Sequence, residues 1–180
     1  MNFKNILLNT TNIVINKIIQ IFGIIAIFFG FLFLLSLITY SPDDPNFIFS
    51  ESKNIKNLLG FNGSLISDFF FQSIGLISFL IPITVMVTGV NVLFKKKILF
   101  FFENLFFIVL YSLVGSIYLS LFHKDSFFLS ISGNGGFVGN FLVGVFFQNM
   151  VILNNQILNY FLITLTIILF FKSINFELKY

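Results

Sequence analysis

Residues 18–39 run without a single charged residue or proline. A helix needs about 20 apolar residues to cross the hydrocarbon of a bilayer, and this run meets that length uninterrupted. The rest of the chain agrees. It has 180 residues, of which 57% are hydrophobic and only 9% charged, and its mean hydropathy is +1.01. A soluble domain carries about 25% charged residues. With so few charges its surface could not be kept wet, so the chain reads as an integral membrane protein. A cleaved secretory signal would have a short apolar core and a small-residue cleavage site. This run is too long, and Ser36-Leu37-Ile38-Thr39-Tyr40 offers no such site, so it reads as a retained anchor. Cysteine is absent, which excludes disulfides, thiolate metal sites and cysteine nucleophiles. Every basic residue is lysine, Ala26 is the single alanine, and phenylalanine reaches 30 residues. That bias reads as the coding of an AT-rich genome and not as a functional signal.

Two further spans meet the same length criterion, and the last region divides in two. Residues 69–94 qualify, with mild polarity at Gln72, Ser73, Ser78, Thr84, Thr88 and Asn91. Residues 105–122 qualify, extended at their start towards Ile98. Residues 137–147 are apolar, but at about 1.5 Å per residue they cover only roughly half of the hydrocarbon core. They read as a short re-entrant or interfacial helix. Residues 160–171 form the fourth span, entered near residues 151–157. The expected fold is all-α, with four transmembrane helices and one short helix before the last.

Lysines collect on the cytoplasmic side of membrane proteins. Lys4 and Lys17 precede the first span, Lys95, Lys96 and Lys97 link the second to the third, and Lys172 and Lys179 follow the last. With four spans these seven lysines share one side, and only Lys53, Lys56 and Lys124 fall on the other. The expected arrangement is a cytoplasmic segment 1–17, a membrane domain 18–172 and a cytoplasmic tail 173–180. If residues 137–147 also spanned, Lys172 and Lys179 would change sides and the asymmetry would weaken.

After the first span the sequence reads TYSPDDPNF (residues 39–47). Pro42 presets a turn, and Asp44 before Pro45 is pushed out of helix. Asp43 and Asp44 favour turns and resist lipid, so the stretch stops the helix at the membrane boundary. Paired carboxylates also suit calcium or magnesium, but no further oxygen ligands stand at a defined spacing. Downstream, Gly60 and Asn62-Gly63 read as turns and Ser64 as an N-cap. Asp68 then falls in the first turns of span two, where the helix dipole favours a carboxylate. Its alternative reading is a buried polar partner for another helix. Pro82 should kink span two by freeing the carbonyl of Ser78. Gly23, Ala26 and Gly30 share one face of span one, which suits close helix packing.

Taken in order, TYSPDDPNF, NLLGFNG, SDFFFQSIGL with Gly75, FLIP ending at Pro82, Gly89, and Gly135-Gly136-Phe137-Val138-Gly139 resemble the N-terminal four-helix membrane domain of the FtsK/SpoIIIE family of bacterial DNA translocases. The resemblance covers residues 22–171. Ser67 stands where the family usually has alanine, and the Trp-Arg often following the Gly89 position is missing, although Lys95 to Lys97 keep the charge. What the resemblance implies is a multi-pass domain of the bacterial inner membrane that recruits the translocase to the division septum. It would contact other division proteins, self-associate, and help assemble the motor around DNA in cell division and chromosome segregation.

No cofactor or metal site is legible. A P-loop needs glycines followed by Lys-Ser/Thr, and Val145-Phe146 stands where Lys-Ser/Thr is required after Gly139 and Gly144. Residues 133–139 miss the dinucleotide fingerprint, which needs glycine at Val138. His123, the single histidine, has only Asp125 nearby, so a metal site or serine triad lacks parts. The chain itself is therefore expected not to be an enzyme, with ATP and DNA handled only by a motor domain. The alternative class is a small transporter or channel subunit, for which Asp68 and Glu103 are the acidic candidates. An intramembrane protease would need a His-Ser or Asp-Asp pair within the spans.

Overall fold

A computed structural model describes residues 3–46, 54–125, 129, 131–147 and 156–175, with the backbone alone for residues 3–9. Among them every regular element is helical. The order is α1 (Phe3–Ile38), α2 (Gly60–Ile74), a 3₁₀ turn (Gly75–Phe79), α3 (Leu80–Lys95), α4 (Leu99–Phe122), α5 (Gly136–Phe146) and α6 (Gln156–Ser173). Four stretches are long and apolar enough to cross a membrane: Thr10–Ile38, Gly60–Lys95, Leu99–Phe122 and Gln156–Ser173. The short helix α5 precedes the last of them, as expected.

Two antiparallel pairs organise the bundle. On α1, a Cβ at Gly23 would lie 2.8 Å from the Gly89 carbonyl oxygen, and one at Gly30 would lie 3.1 Å from the Pro82 oxygen. The glycine face read from the sequence is therefore where α1 and α3 press backbone against backbone. In the second pair, the rings of Tyr111 on α4 and Phe170 on α6 meet edge-on at 5.8 Å, and Asn175 Nδ2 donates to Asn104 Oδ1 at 2.8 Å. These pairings bring the start of α1, the turn after Lys95 and the end of α6 to one end of the bundle, here the lysine end. The other is the loop end.

The distribution of side chains is inverted relative to a soluble protein. Phe28, Phe29 and Phe106 are each about 60% exposed, while Ser36, Ser67, Ser78, Thr84 and Ser116 are fully buried. Lipid tails are as apolar as leucine, so burying large apolar groups gives little drive between membrane helices. Small and hydroxylated residues line the contacts instead, because they allow close approach. An apolar cluster of Leu37, Phe71 and Leu129, flanked by Phe33, Tyr40 and Phe79, sits at the loop end.

One addition and two corrections follow. Helix α1 extends upstream of the span read at residues 18–39 and begins at Phe3, because no helix breaker stands between them. Helix α2 begins at Gly60, so Ser64 is inside the helix and caps nothing. Its Oγ donates instead to the Pro45 and Phe61 carbonyls, both at 2.9 Å. The second span is broken at Gly75–Phe79, upstream of Pro82, which is the third residue of α3. There its missing N–H falls in the first turn of a helix, the position where proline is tolerated.

Candidate functional site

At the loop end the SPDDP turn does more than stop α1. Asp44 is 6% exposed. Its two carboxylate oxygens accept the backbone N–H groups of Lys56 and Asn57, each at 2.8 Å. The loop is thereby tied shut across a dozen residues. Asp43 points outward and pairs with Lys56 Nζ at 2.7 Å, which raises the lysine's pKa through that hydrogen bond. The pair is exposed on both sides and holds little. Asn57, pinned by Asp44, donates from Nδ2 to the Ser36 carbonyl on α1 at 2.9 Å. Ser36 Oγ in turn donates to the Gly63 carbonyl on α2 at 2.7 Å. A side chain at Gly63 would overlap Asn57 Oδ1.

Asp68 lies on the ninth residue of α2, two turns beyond its start, so the helix N-terminus is not its partner. Tyr40, just past α1, donates its hydroxyl to Asp68 Oδ1 at 3.2 Å, and Gln72 Nε2 donates to the same oxygen at 3.4 Å. Burial first, and then the neighbouring Asp68 carboxylate, push the Tyr40 phenol's pKa well above its ordinary range. Gln72 Oε1 also accepts the Ser132 hydroxyl from the loop before α5. Asp68 is half-buried, and its partners are Tyr40 in the turn after α1 and Gln72 one turn along its own helix.

The break after α2 is held open from outside. Gly75 has φ +70° and Gly136 φ +68°, conformations that side chains rarely tolerate. They face each other: a Cβ at Gly136 would lie 2.6 Å from the Gly75 nitrogen. Leu76 N–H, freed by the break, donates to the Asn134 carbonyl at 2.9 Å. Ser116 Oγ on α4 donates to the freed Ile74 carbonyl at 2.9 Å. Backbone polar groups at membrane depth must be satisfied internally, and these two contacts do so. Gly135 and Gly139 both rest on Ser116 and Ser120 of α4, where any side chain would overlap those residues. Asn134 Nδ2 anchors the loop by donating to the carbonyls of His123 at 2.8 Å and Asp125 at 2.7 Å.

A polar ladder near the lysine end was not anticipated. Thr84 Oγ1 meets Tyr111 at 3.2 Å and Ser173 at 3.0 Å. Asn104 Nδ2 donates to Thr88 Oγ1 at 2.7 Å and accepts from Asn175. Together these side chains join α3, α4 and the end of α6. Thr84 and Thr88 stood out only as mild polarity in an apolar run. Asn104 and Tyr111 carried no signal, because their partners are distant in sequence.

A family model described as the 4TM region of DNA translocase FtsK/SpoIIIE matches residues 16–178. The chain belongs to this family. The DNA translocase FtsK of Rickettsia prowazekii (strain Madrid E) is 31% identical over 128 residues, covering 69% of this chain and 17% of the relative. That of Rickettsia typhi (strain ATCC VR-144 / Wilmington) is 33% identical over 105 residues, covering 57% and 14%. The chain thus spans less than a fifth of the length of these curated relatives. No solved structure matches it. The matched residues are the membrane region of an FtsK-type translocase.

The residues singled out in the sequence now have places. Pro42, Asp43, Asp44, Pro45, Gly60 and Gly63 build the loop-end clamp, and Asp68 hangs from it through Tyr40. Gly75, Gly135, Gly136 and Gly139 form the broken-helix junction, and Pro82 and Gly89 form the α1–α3 seam. Lys95, Lys96 and Lys97 make the tight α3–α4 turn, with Lys96 left-handed at φ 55° and Lys95 Nζ 4.9 Å from the Phe100 ring centre. Glu103 is exposed at the start of α4, at the opposite end from Asp68, and the two are not brought together. His123 is exposed and meets the Tyr118 hydroxyl at 3.1 Å. Among the described residues no group of three or more His, Cys, Asp or Glu could hold a metal.

Proposed function

We propose that this region anchors an FtsK-type DNA translocase in the bacterial inner membrane, targets it to the division septum and supports its assembly as an oligomer. The observation that carries this reading is the match of residues 16–178 to the four-span region of the family, within relatives that are several times longer. ATP and DNA would be handled by a motor outside these 180 residues. The lysine end would face the cytoplasm, since seven of ten lysines lie at or beyond it. The opposite face, with the Asp44 clamp and the residue 123–134 loop, would meet other division proteins. The test is a fluorescent fusion of the chain expressed in dividing cells. Bands at constriction sites support septal targeting. An even membrane signal through the division cycle removes it.

A further inference from the structure

At the loop end a carboxylate and a cavity share one wall. The cavity holds about 270 Å³ and is walled by Leu37, Phe71, Phe79 and Leu129. Tyr40 closes it on one side, and Ile38, 61% exposed at the end of α1, stands at its edge. Since α1 crosses the membrane, that edge opens towards lipid. The Tyr40 ring belongs to the cavity wall while its hydroxyl donates to Asp68 Oδ1. Tyr40 and Gln72 both use Oδ1. Among the described residues Asp68 Oδ2 accepts no hydrogen bond, and no lysine pairs with Asp68; the described ion pair is Lys56 with Asp43. A carboxylate at a membrane boundary is stabilised by a partner cation. Tyr40 stands two residues past the end of α1, and its hydrogen bond sets Asp68 at the same level, the margin of the span. An apolar hollow joined through Tyr40 to a carboxylate whose second oxygen is unused among the described residues complements an amphiphile with a cationic head and a hydrocarbon tail.

We propose that this hollow binds a phospholipid with a primary ammonium headgroup, of the phosphatidylethanolamine type, its ammonium on Asp68 Oδ2 and one acyl chain in the cavity. An ammonium offers three donors and a full charge, and such charge-assisted bonds are the stronger kind. A phosphatidylglycerol headgroup has no cation to offer, and its net negative charge meets the carboxylate unfavourably.

The test titrates the purified 180-residue chain in detergent with phosphatidylethanolamine and phosphatidylglycerol of identical acyl chains, counting bound lipid by native mass spectrometry. The expected result is retention of phosphatidylethanolamine roughly tenfold over phosphatidylglycerol, the scale of one such bond. Asp68→Asn keeps the contacts to Tyr40 and Gln72 but removes the charge, and should bring the ratio to about one. Ile38→Trp, at the exposed edge, should block acyl-chain entry and lower retention of phosphatidylethanolamine whether or not Asp68→Asn folds. Free ethanolamine should not displace the lipid. Equal retention by the wild type, an unchanged ratio in folded Asp68→Asn, unchanged retention in Ile38→Trp, or displacement by free ethanolamine would each overturn the site.

Discussion

Asp44 and Gly139 hold the fold by opposite means, one by what its side chain accepts and the other by having none. Asp44→Ala would leave two backbone N–H groups unpaired. It should cost about 3 kcal/mol, with Asp44→Asn in between, read as thermal unfolding in detergent. Gly139→Ala would drive a methyl group into the Ser116 carbonyl and Ser120. It should cost about 1–3 kcal/mol by overpacking. Tyr40 gives a pH dependence. Burial and Asp68 favour its neutral phenol, so its folded pKa lies above the unfolded value of 10.0. That contribution is full below pH 10.0 and is lost as pH rises towards the folded value. Melting temperature should fall in that alkaline range, and Tyr40→Phe should flatten part of the fall. At this scale the sequence announced the prolines, aspartates and glycines, because each has a local conformational signature. It did not announce Asn57 or Ser36, whose roles exist only once they meet across 21 residues.

Among the elements, the second span shows where local rules stop. Proline has a known effect on helices, so the bend was expected at Pro82. The break falls instead at Gly75–Phe79, because a distant loop supplies what the broken helix lacks: Asn134 accepts from Leu76, and Ser116 donates to Ile74. No local pattern around Gly75 encodes those partners. Gly75→Ala should therefore lower membrane abundance more than Pro82→Ala, since its methyl group would collide with the Asn134 backbone at a positive φ. Pro82→Ala should leave the break in place. If the two variants are equally abundant on immunoblots of membrane fractions, the loop does not hold the break. The helices themselves were legible, since length and hydropathy decide them. Their starts were not, as Phe3 and Gly60 show.

For the whole molecule, four spans and the lysine asymmetry lead to one topology. A reporter active only outside the cytoplasm should be active when fused after Glu51, and silent after Lys97 or Lys179. Activity at Lys179 would mean that α5 crosses the membrane. For the antiparallel pairing of α1 with α3 the sequence marked the glycine face on α1 but not its partner, which the structure supplies in Pro82 and Gly89. The pairing of α4 with α6 rests on Asn104, Tyr111 and their partners, which only the folded chain brings together. One feature of α1 reaches beyond the bilayer. Its uncharged run over residues 18–38 gives about 32 Å of helix, which matches a hydrocarbon core of about 30 Å. The helix nevertheless starts at Phe3, so about 22 Å of it, carrying Lys4 and Lys17, precedes the hydrocarbon. On the lysine side the first span thus continues as a short mast, and whatever docks there meets ordered backbone instead of a loose tail.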